Sequence, residues 1–186
     1  MRARHPAGRW RSPRLAFAVA LLLALLVTGG EGYLYHARYT PASGPRARVG
    51  ETVTLAGTTI EVRSITVARE LPVADAGDPP AKGPAGSVLV LVTWVQTLDE
   101  TVDVEDHFCD AALVADDGTT WADELDYTYD LRRPKSLTCA STDDAPMVAG
   151  KPATIGESYV IPASYASRVR WRLSLHDDRQ VVEFVP

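Results

Sequence analysis

The run Val104 to Trp121, VEDHFCDAALVADDGTTW, brings carboxylates, a histidine and a cysteine close together. On a strand, Glu105, His107 and Cys109 would project to one face at two-residue spacing. Cysteine, histidine and methionine on a β-scaffold are the ligand set of a blue-copper centre, so this is the first chemistry to weigh. The inventory counts against it. Cys139 is followed by ASTDDAPM with no histidine before Met147, and the other histidines fall at His5, His36 and the turn residue His176. The acids Asp103, Glu105, Asp106, Asp110, Asp116, Asp117, Asp123, Glu124, Asp126 and Asp130 could supply oxygens to calcium, but none follows calcium-loop spacing with its glycine and terminal bidentate glutamate. We expect no metal and no cofactor. A secreted enzyme or metal-binding protein centred on His107 and its acids stands as the alternative.

Two cysteines in an exported body are expected to pair. A Cys109–Cys139 bond closes a loop of about thirty residues, worth roughly 3–4 kcal/mol by chain entropy. It would pin ADELDYTYDLRRPKSLT, the segment with the weakest periodicity. No Gly-x-Ser-x-Gly, phosphate loop or zinc signature occurs, so catalysis is not expected. The candidate binding surface is Trp121, Tyr127 and Tyr129 near the crosslinked loop, with the arginine stripe Arg168, Arg170 and Arg172. For the stripe the plainer reading is a solvated strand face paired with Glu183 and neighbouring acids.

Charge and hydropathy place these residues in the cell. The first thirty residues carry Arg2, Arg4, Arg9, Arg11 and Arg14 and no acid. Without those five, 14 of the 19 basic residues face all 24 acids, so the remainder carries −10. Such a body does not suit nucleic acid or anionic lipid. There is no asparagine, hence no N-linked glycosylation.

Residues 1–14 read as a basic cytoplasmic tail and 15–35, LAFAVALLLALLVTGGEGYLY, as a signal-anchor transmembrane helix. Such a helix would be roughly 30 Å long, a bilayer's hydrocarbon thickness. Trp10, Tyr33 and Tyr35 suit the two interfaces. Cleavage near Gly29 or Gly30 would give a secreted protein instead. Either way the body lies outside the cytoplasm. Residues 36–49 read as a juxtamembrane tether, because Pro41 and Pro45 disfavour a strand.

From Gly50 onward the apolar period is two. ETVTLAGTTIEV reads as a hairpin turning at Gly57-Thr58, with Leu55 opposite Ile60 and Val53 opposite Val62. A parity change predicts a bulge near Arg63-Ser64. Leu71 to Gly86 reads as a long surface loop. SVLVLVTWVQTL, apolar on both faces at first, predicts a central strand. Asp117-Gly118 predicts a hairpin pairing Val114 with Trp121. In RVRWRLSLHDDRQVVEFVP a turn at Asp177-Asp178 places Trp171 opposite Phe184, Leu173 opposite Val182 and Arg172 opposite Glu183. The sum is an antiparallel, immunoglobulin-like β-sandwich of seven to eight strands over 50–186.

VGETVTLAGTTIEVRSI, GSVLVLVTWVQTLDETVDVED, ALVADDGTTW and VAGKPATIGESYVIPAS together resemble the bacterial exported immunoglobulin-like domains of unknown function, grouped with telokin-like immunoprotective extracellular proteins. The likeness spans Val49 to Pro186. Where that family usually has an asparagine after its long central strand, this chain offers Gln96. The resemblance implies a membrane-anchored or exported β-sandwich and carries no catalytic residues. Its partner would be an envelope or extracellular protein or polymer.

Overall fold

The computed structural model describes residues 17, 19–23, 25, 26, 28 and 30, and from 44 onward all but 76, 106, 125, 126, 128, 129, 133, 135–138, 140, 144 and 176–179. Two compact units are separated, 1–41 and 42–186.

In the first unit the described positions are helical between residues 17 and 30. Among the described residues no helix is long and apolar enough to cross a membrane. The transmembrane helix expected over 15–35 is therefore not supported by the helix that is described. Trp10, Tyr33 and Tyr35, expected at the membrane interfaces, lie outside the described residues.

The second unit is built from strands β1 (Arg46–Arg48), β2 (Thr52–Leu55), β3 (Thr58–Ala68), β4 (Glu70–Leu71), β5 (Ala81–Lys82), β6 (Ser87–Leu98), β7 (Cys109–Ala115), β8 (Thr120–Trp121), β9 (Pro152–Pro162), β10 (Val169–Leu175) and β11 (Gln180–Val185). One sheet has the order β1-β11-β10-β7-β8, the other β2-β3-β6-β9, and β4-β5 form a small ribbon. Apolar side chains from both sheets share one core that includes Ile60, Val62, Trp94, Leu113, Trp171, Leu173 and Phe184. Trp94 and Trp171 bridge the sheets with ring centroids 5.1 Å apart. The architecture is a β-sandwich.

β6 is the central strand its composition predicts, flanked by β3 and β9. Its inner face is buried under the second sheet. Leu89 on its outer face is fully buried too, in a satellite cluster with Leu71 and Leu131. The bulge expected near Arg63-Ser64 is present as a register shift between Val62 and Ser64. The C-terminal hairpin has the expected register, Trp171 opposite Phe184, Leu173 opposite Val182 and Arg172 opposite Glu183. Its turn residues Asp177 and Asp178 lie outside the described residues.

Four expectations are corrected. First, the tether over 36–49 stops short, because Arg46–Arg48 form β1, parallel to β11. As a three-residue edge strand it tolerates Pro45 beside it, whose carbonyl accepts the Glu183 amide at 3.0 Å. Second, the first hairpin turns at Ala56-Gly57 and pairs Leu55 with Thr58 and Val53 with Ile60. Both turn residues have positive φ, 49° and 73°, as a type I′ turn requires. The two-residue slip leaves every side chain on its expected face. Third, the Asp117-Gly118 hairpin pairs Leu113, not Val114, with Trp121. Gly118, at φ 85°, closes a three-residue loop in which its amide bonds to the Ala115 carbonyl and the Ala115 amide to that of Thr119. Fourth, the long loop over 71–86 is pinched by the β4-β5 ribbon, in which Glu70 pairs with Lys82. With β1, β4, β5 and β8, none longer than three residues, the described strands exceed the expected seven to eight.

Candidate functional site

The chemistry-bearing run begins where strand structure starts. Cys109 is the first residue of β7 and sits opposite Leu175. Residues 103–107 therefore precede the strand, and the shared face expected for Glu105, His107 and Cys109 does not form. Glu105 is exposed while His107 is buried, because an Asx turn from Asp103 Oδ1 to the Glu105 amide (3.0 Å) bends the chain first.

Cys109 and Cys139 are bonded, with Cα atoms 6.0 Å apart. Cys139 is fully buried. Its carbonyl accepts a hydrogen bond from Gln96 Nε2 at 3.0 Å, and the same nitrogen reaches Met147 Sδ at 2.7 Å. Gln96 projects into the interior from β6 and fixes both ends of the 139–147 loop. Within that loop the Met147 amide donates to Ser141 Oγ at 3.0 Å.

Beside the disulfide lies a cleft of about 460 Å³ lined by Val104, Glu105, His107, Ser141, Thr142, Asp143 and Pro146. Among the described residues, no group of three or more His, Cys, Asp or Glu side chains is placed to hold a metal ion. The cleft is lined by two carboxylates, two hydroxyls that each accept a backbone amide, and two apolar side chains, while the His107 ring is buried. That lining suits recognition of a polar group by hydrogen bonds and charge.

The other expected surface is only partly assembled. Trp121 is half-buried and packs edge-on against Tyr165, ring centroids 4.9 Å apart. Arg168 lies 4.8 Å above the Tyr165 ring and donates to the Ser164 carbonyl at 3.0 Å. Tyr165 Oη donates to Asp117 Oδ2 at 2.9 Å. The Thr119 backbone and side chain, with Tyr165, hold the Asp117 carboxyl below its usual range. Tyr127 is about half exposed. Tyr129 lies outside the described residues.

The arginines do not form an open stripe. Arg170 is turned into an ion-pair network, Nε to Glu183 Oε2 at 3.0 Å and Nη1 to Asp116. Arg46 Nε approaches the same Glu183 oxygen at 3.5 Å. Arg172 sits opposite Glu183 in register and is half-buried, but the Glu183 carboxylate goes diagonally to Arg170. Of the three, Arg168 is the one left exposed.

The sequence reading did not single out Glu157. It points into the space between the sheets from β9, buried, with Oε2 accepting from Tyr159 Oη at 2.7 Å and Trp171 Nε1 at 3.2 Å. Trp171 Nε1 also donates to Tyr159 Oη at 2.9 Å. Burial pushes the Glu157 carboxyl up to about 7, against the pull of those two donors and with help from the negative charges of Asp123 and Asp110. Burial, then the Glu157 charge, raises the Tyr159 hydroxyl well above its ordinary value. One signal was available: Ile155, Glu157, Tyr159 and Ile161 alternate on a single face.

No protein-family model matches the chain, and no curated protein does. Solved structures of similar shape exist. A conserved hypothetical protein from Bacillus anthracis aligns with a TM-score of 0.51 at 11% identity, over 73% of this chain and 93% of that one. The yjhA protein from Bacillus subtilis gives 0.48 at 14%, over 74% and 99%. An uncharacterized beta-sandwich protein from Clostridium difficile 630 gives 0.47 at 12%, over 76% and 93%. At 11% identity the Bacillus anthracis likeness concerns the fold alone.

Proposed function

We propose that the chain is an extracytoplasmic, immunoglobulin-like binding module of the telokin-like exported type, held at the cell membrane through residues 15–35 with its N-terminus in the cytoplasm. Its role is non-catalytic contact with an envelope or extracellular protein or polymer. The Cys109–Cys139 bond carries this reading. A disulfide in a single small domain persists in an oxidising compartment and is kept reduced in the cytoplasm. The arginines ahead of the apolar run supply the orientation. The contact is assigned to the cleft lined by Val104, Glu105, His107, Ser141, Thr142, Asp143 and Pro146, at one end of a rigid sandwich where loops commonly bind.

Three measurements test the proposal. Protease added to intact cells should remove the second unit, and the mass of the mature protein should include residues 1–35. Photo-crosslinking from position 143 should capture one discrete envelope partner, and capture should drop when Ser141, Thr142 and Glu105 are replaced together. A body inaccessible from outside, or carrying two free thiols when unfolded without reductant, would remove the basis of the reading.

The second reading, a secreted enzyme or metal-binding protein, draws on His107 lining the cleft with Glu105 and Asp143. Stoichiometric metal in the purified protein, lost in His107→Ala, would favour it.

A further inference from the structure

Strand parity sorts the charges of the β1-β11-β10-β7-β8 sheet. Ala47, Trp171, Leu173, Val182 and Phe184 are buried in the core, so the residues that alternate with them face outward. Register then sets those residues in rows. Arg46 on β1, Glu183 on β11, Arg172 on β10 and Ala112 on β7 lie side by side across four strands. In the next row Arg48 is opposite Val185, and Arg170 is opposite Val114. Four arginines thus frame one carboxylate. The frame spans two strand spacings by two residues, roughly 10 by 7 Å between Cα positions.

The four corners are not equivalent. Arg170 donates to Glu183 Oε2 at 3.0 Å and pairs with Asp116, and Arg46 lies 3.5 Å from the same Glu183 oxygen. Arg48 and Arg172, on the other diagonal, have no ion pair and no side-chain hydrogen bond among the described residues. Arg172 is half-buried nonetheless. A guanidinium carries five donors and no acceptor, so one partly withdrawn from water gains by meeting an anion. The balance of charge on this face is its own. With Asp110 and Asp116 included, the face holds four arginines against three acids, while residues 31–186 hold 14 basic residues against 24 acids. None of β1, β7, β10 and β11 carries an exposed large apolar side chain of the kind that anchors a protein partner.

We infer that this face is a docking surface for an anionic polymer, a chain bearing repeated carboxylate or phosphate groups, with Arg48 and Arg172 as its contacts. It is a second surface and shares no residue with the cleft. The Cα atoms of the two unpaired arginines are roughly 12 Å apart across the frame, and β11 with Glu183 runs between them. A single small anion would have to sit over that carboxylate to meet both guanidiniums. A polymer sets a separate charge on each. Each fork takes two anionic oxygens through parallel N–H donors, a geometry that carboxylate and phosphate share. The acids that dominate the rest of the body repel the same polymer, which directs its approach to this face.

The test uses the whole chain in detergent and two probes, polygalacturonate for carboxylate and polyphosphate for phosphate. Each is titrated at about 50 and about 200 mM salt. At least one polymer should bind, and the one that does identifies the charged group. Arg48→Gln and Arg172→Gln should each weaken binding about three- to tenfold, and together they should lower the salt slope by about one to two. Arg63→Gln removes the same charge from an ion pair with Glu61 on β3, and should change binding less than about twofold. Urea unfolding of each variant checks that the sandwich is intact. Failure of both polymers to bind at low salt overturns the surface. So does an equal loss in Arg63→Gln, because net charge alone would then explain the effect. Galacturonate or inorganic phosphate binding as tightly as its polymer also overturns it, in favour of a small-anion pocket. If crosslinking from position 143 captures a partner while neither polymer binds, the cleft stands and this surface falls.

Discussion

Replacing Glu157 by glutamine tests whether the carboxyl between the sheets opposes folding at neutral pH. The ordinary value of 4.5 rises to about 7 on burial. At about 1.36 kcal/mol per pH unit, that difference amounts to about 3 kcal/mol. The sign follows from proton counting. Between pH 4.5 and 7 the folded chain holds a proton at Glu157 that the unfolded chain has released, so this contribution to stability falls as pH rises. It is fully present below about 4.5 and lost above about 7. Glutamine keeps an acceptor for Tyr159 Oη and Trp171 Nε1 and carries no charge. Urea unfolding at pH 5, 6, 7 and 8 should give variant and wild-type curves that converge at the acid end and separate with rising pH. By pH 8 the variant should be more stable by up to about 3 kcal/mol. Parallel curves over the whole range would refute the reasoning, because a carboxyl that titrates alike in folded and unfolded chains cannot shape the pH dependence.

Other perturbations have sizes set by the same structure. Cys109→Ser with Cys139→Ser should cost roughly 3–4 kcal/mol in denaturant unfolding, from the 30-residue separation the bond closes. Arg170→Ala should cost about 2 kcal/mol by removing the closer of two guanidinium groups on the buried Glu183 carboxylate and leaving Arg46 at 3.5 Å, while Arg172→Ala should stay within about 0.5 kcal/mol. Equal losses for the two arginines would contradict the network as described. Gly118→Ala should lower stability by about 1–2 kcal/mol, because an L side chain at φ 85° is strained with no neighbouring clash to add.

Strand parity was legible in the sequence wherever one face had to be buried. The C-terminal hairpin satisfied core, surface and turn in one register, and that register is observed. Turn chemistry was harder to read. Asp-Gly serves both a two-residue turn and the three-residue loop found at 116–118, and the choice moved Trp121 opposite Leu113. Ala56 adopts positive φ, which its residue type did not announce. β1 is too short for any period and exists because β11 offers it an edge. The cysteine pair could be argued from count and compartment alone. The cleft could not, since Val104, Glu105 and His107 on one side and Ser141, Thr142, Asp143 and Pro146 on the other are remote in the chain. Glu157 escaped notice because an acid on an apolar stripe looks like an exception until its two aromatic donors are in view.

The side-by-side placement of β1 and β11 shapes how the sandwich comes into being. Among the described strands, this is the one pairing that joins the first to the last, in parallel, across nearly the whole domain. A ribosome releases the opening strand long before its mate, so that edge stays unsatisfied until synthesis of the sandwich is done. Loop closure over such a span is slow. A nascent chain of this design remains unfinished, and available to holding chaperones, for as long as it is being made.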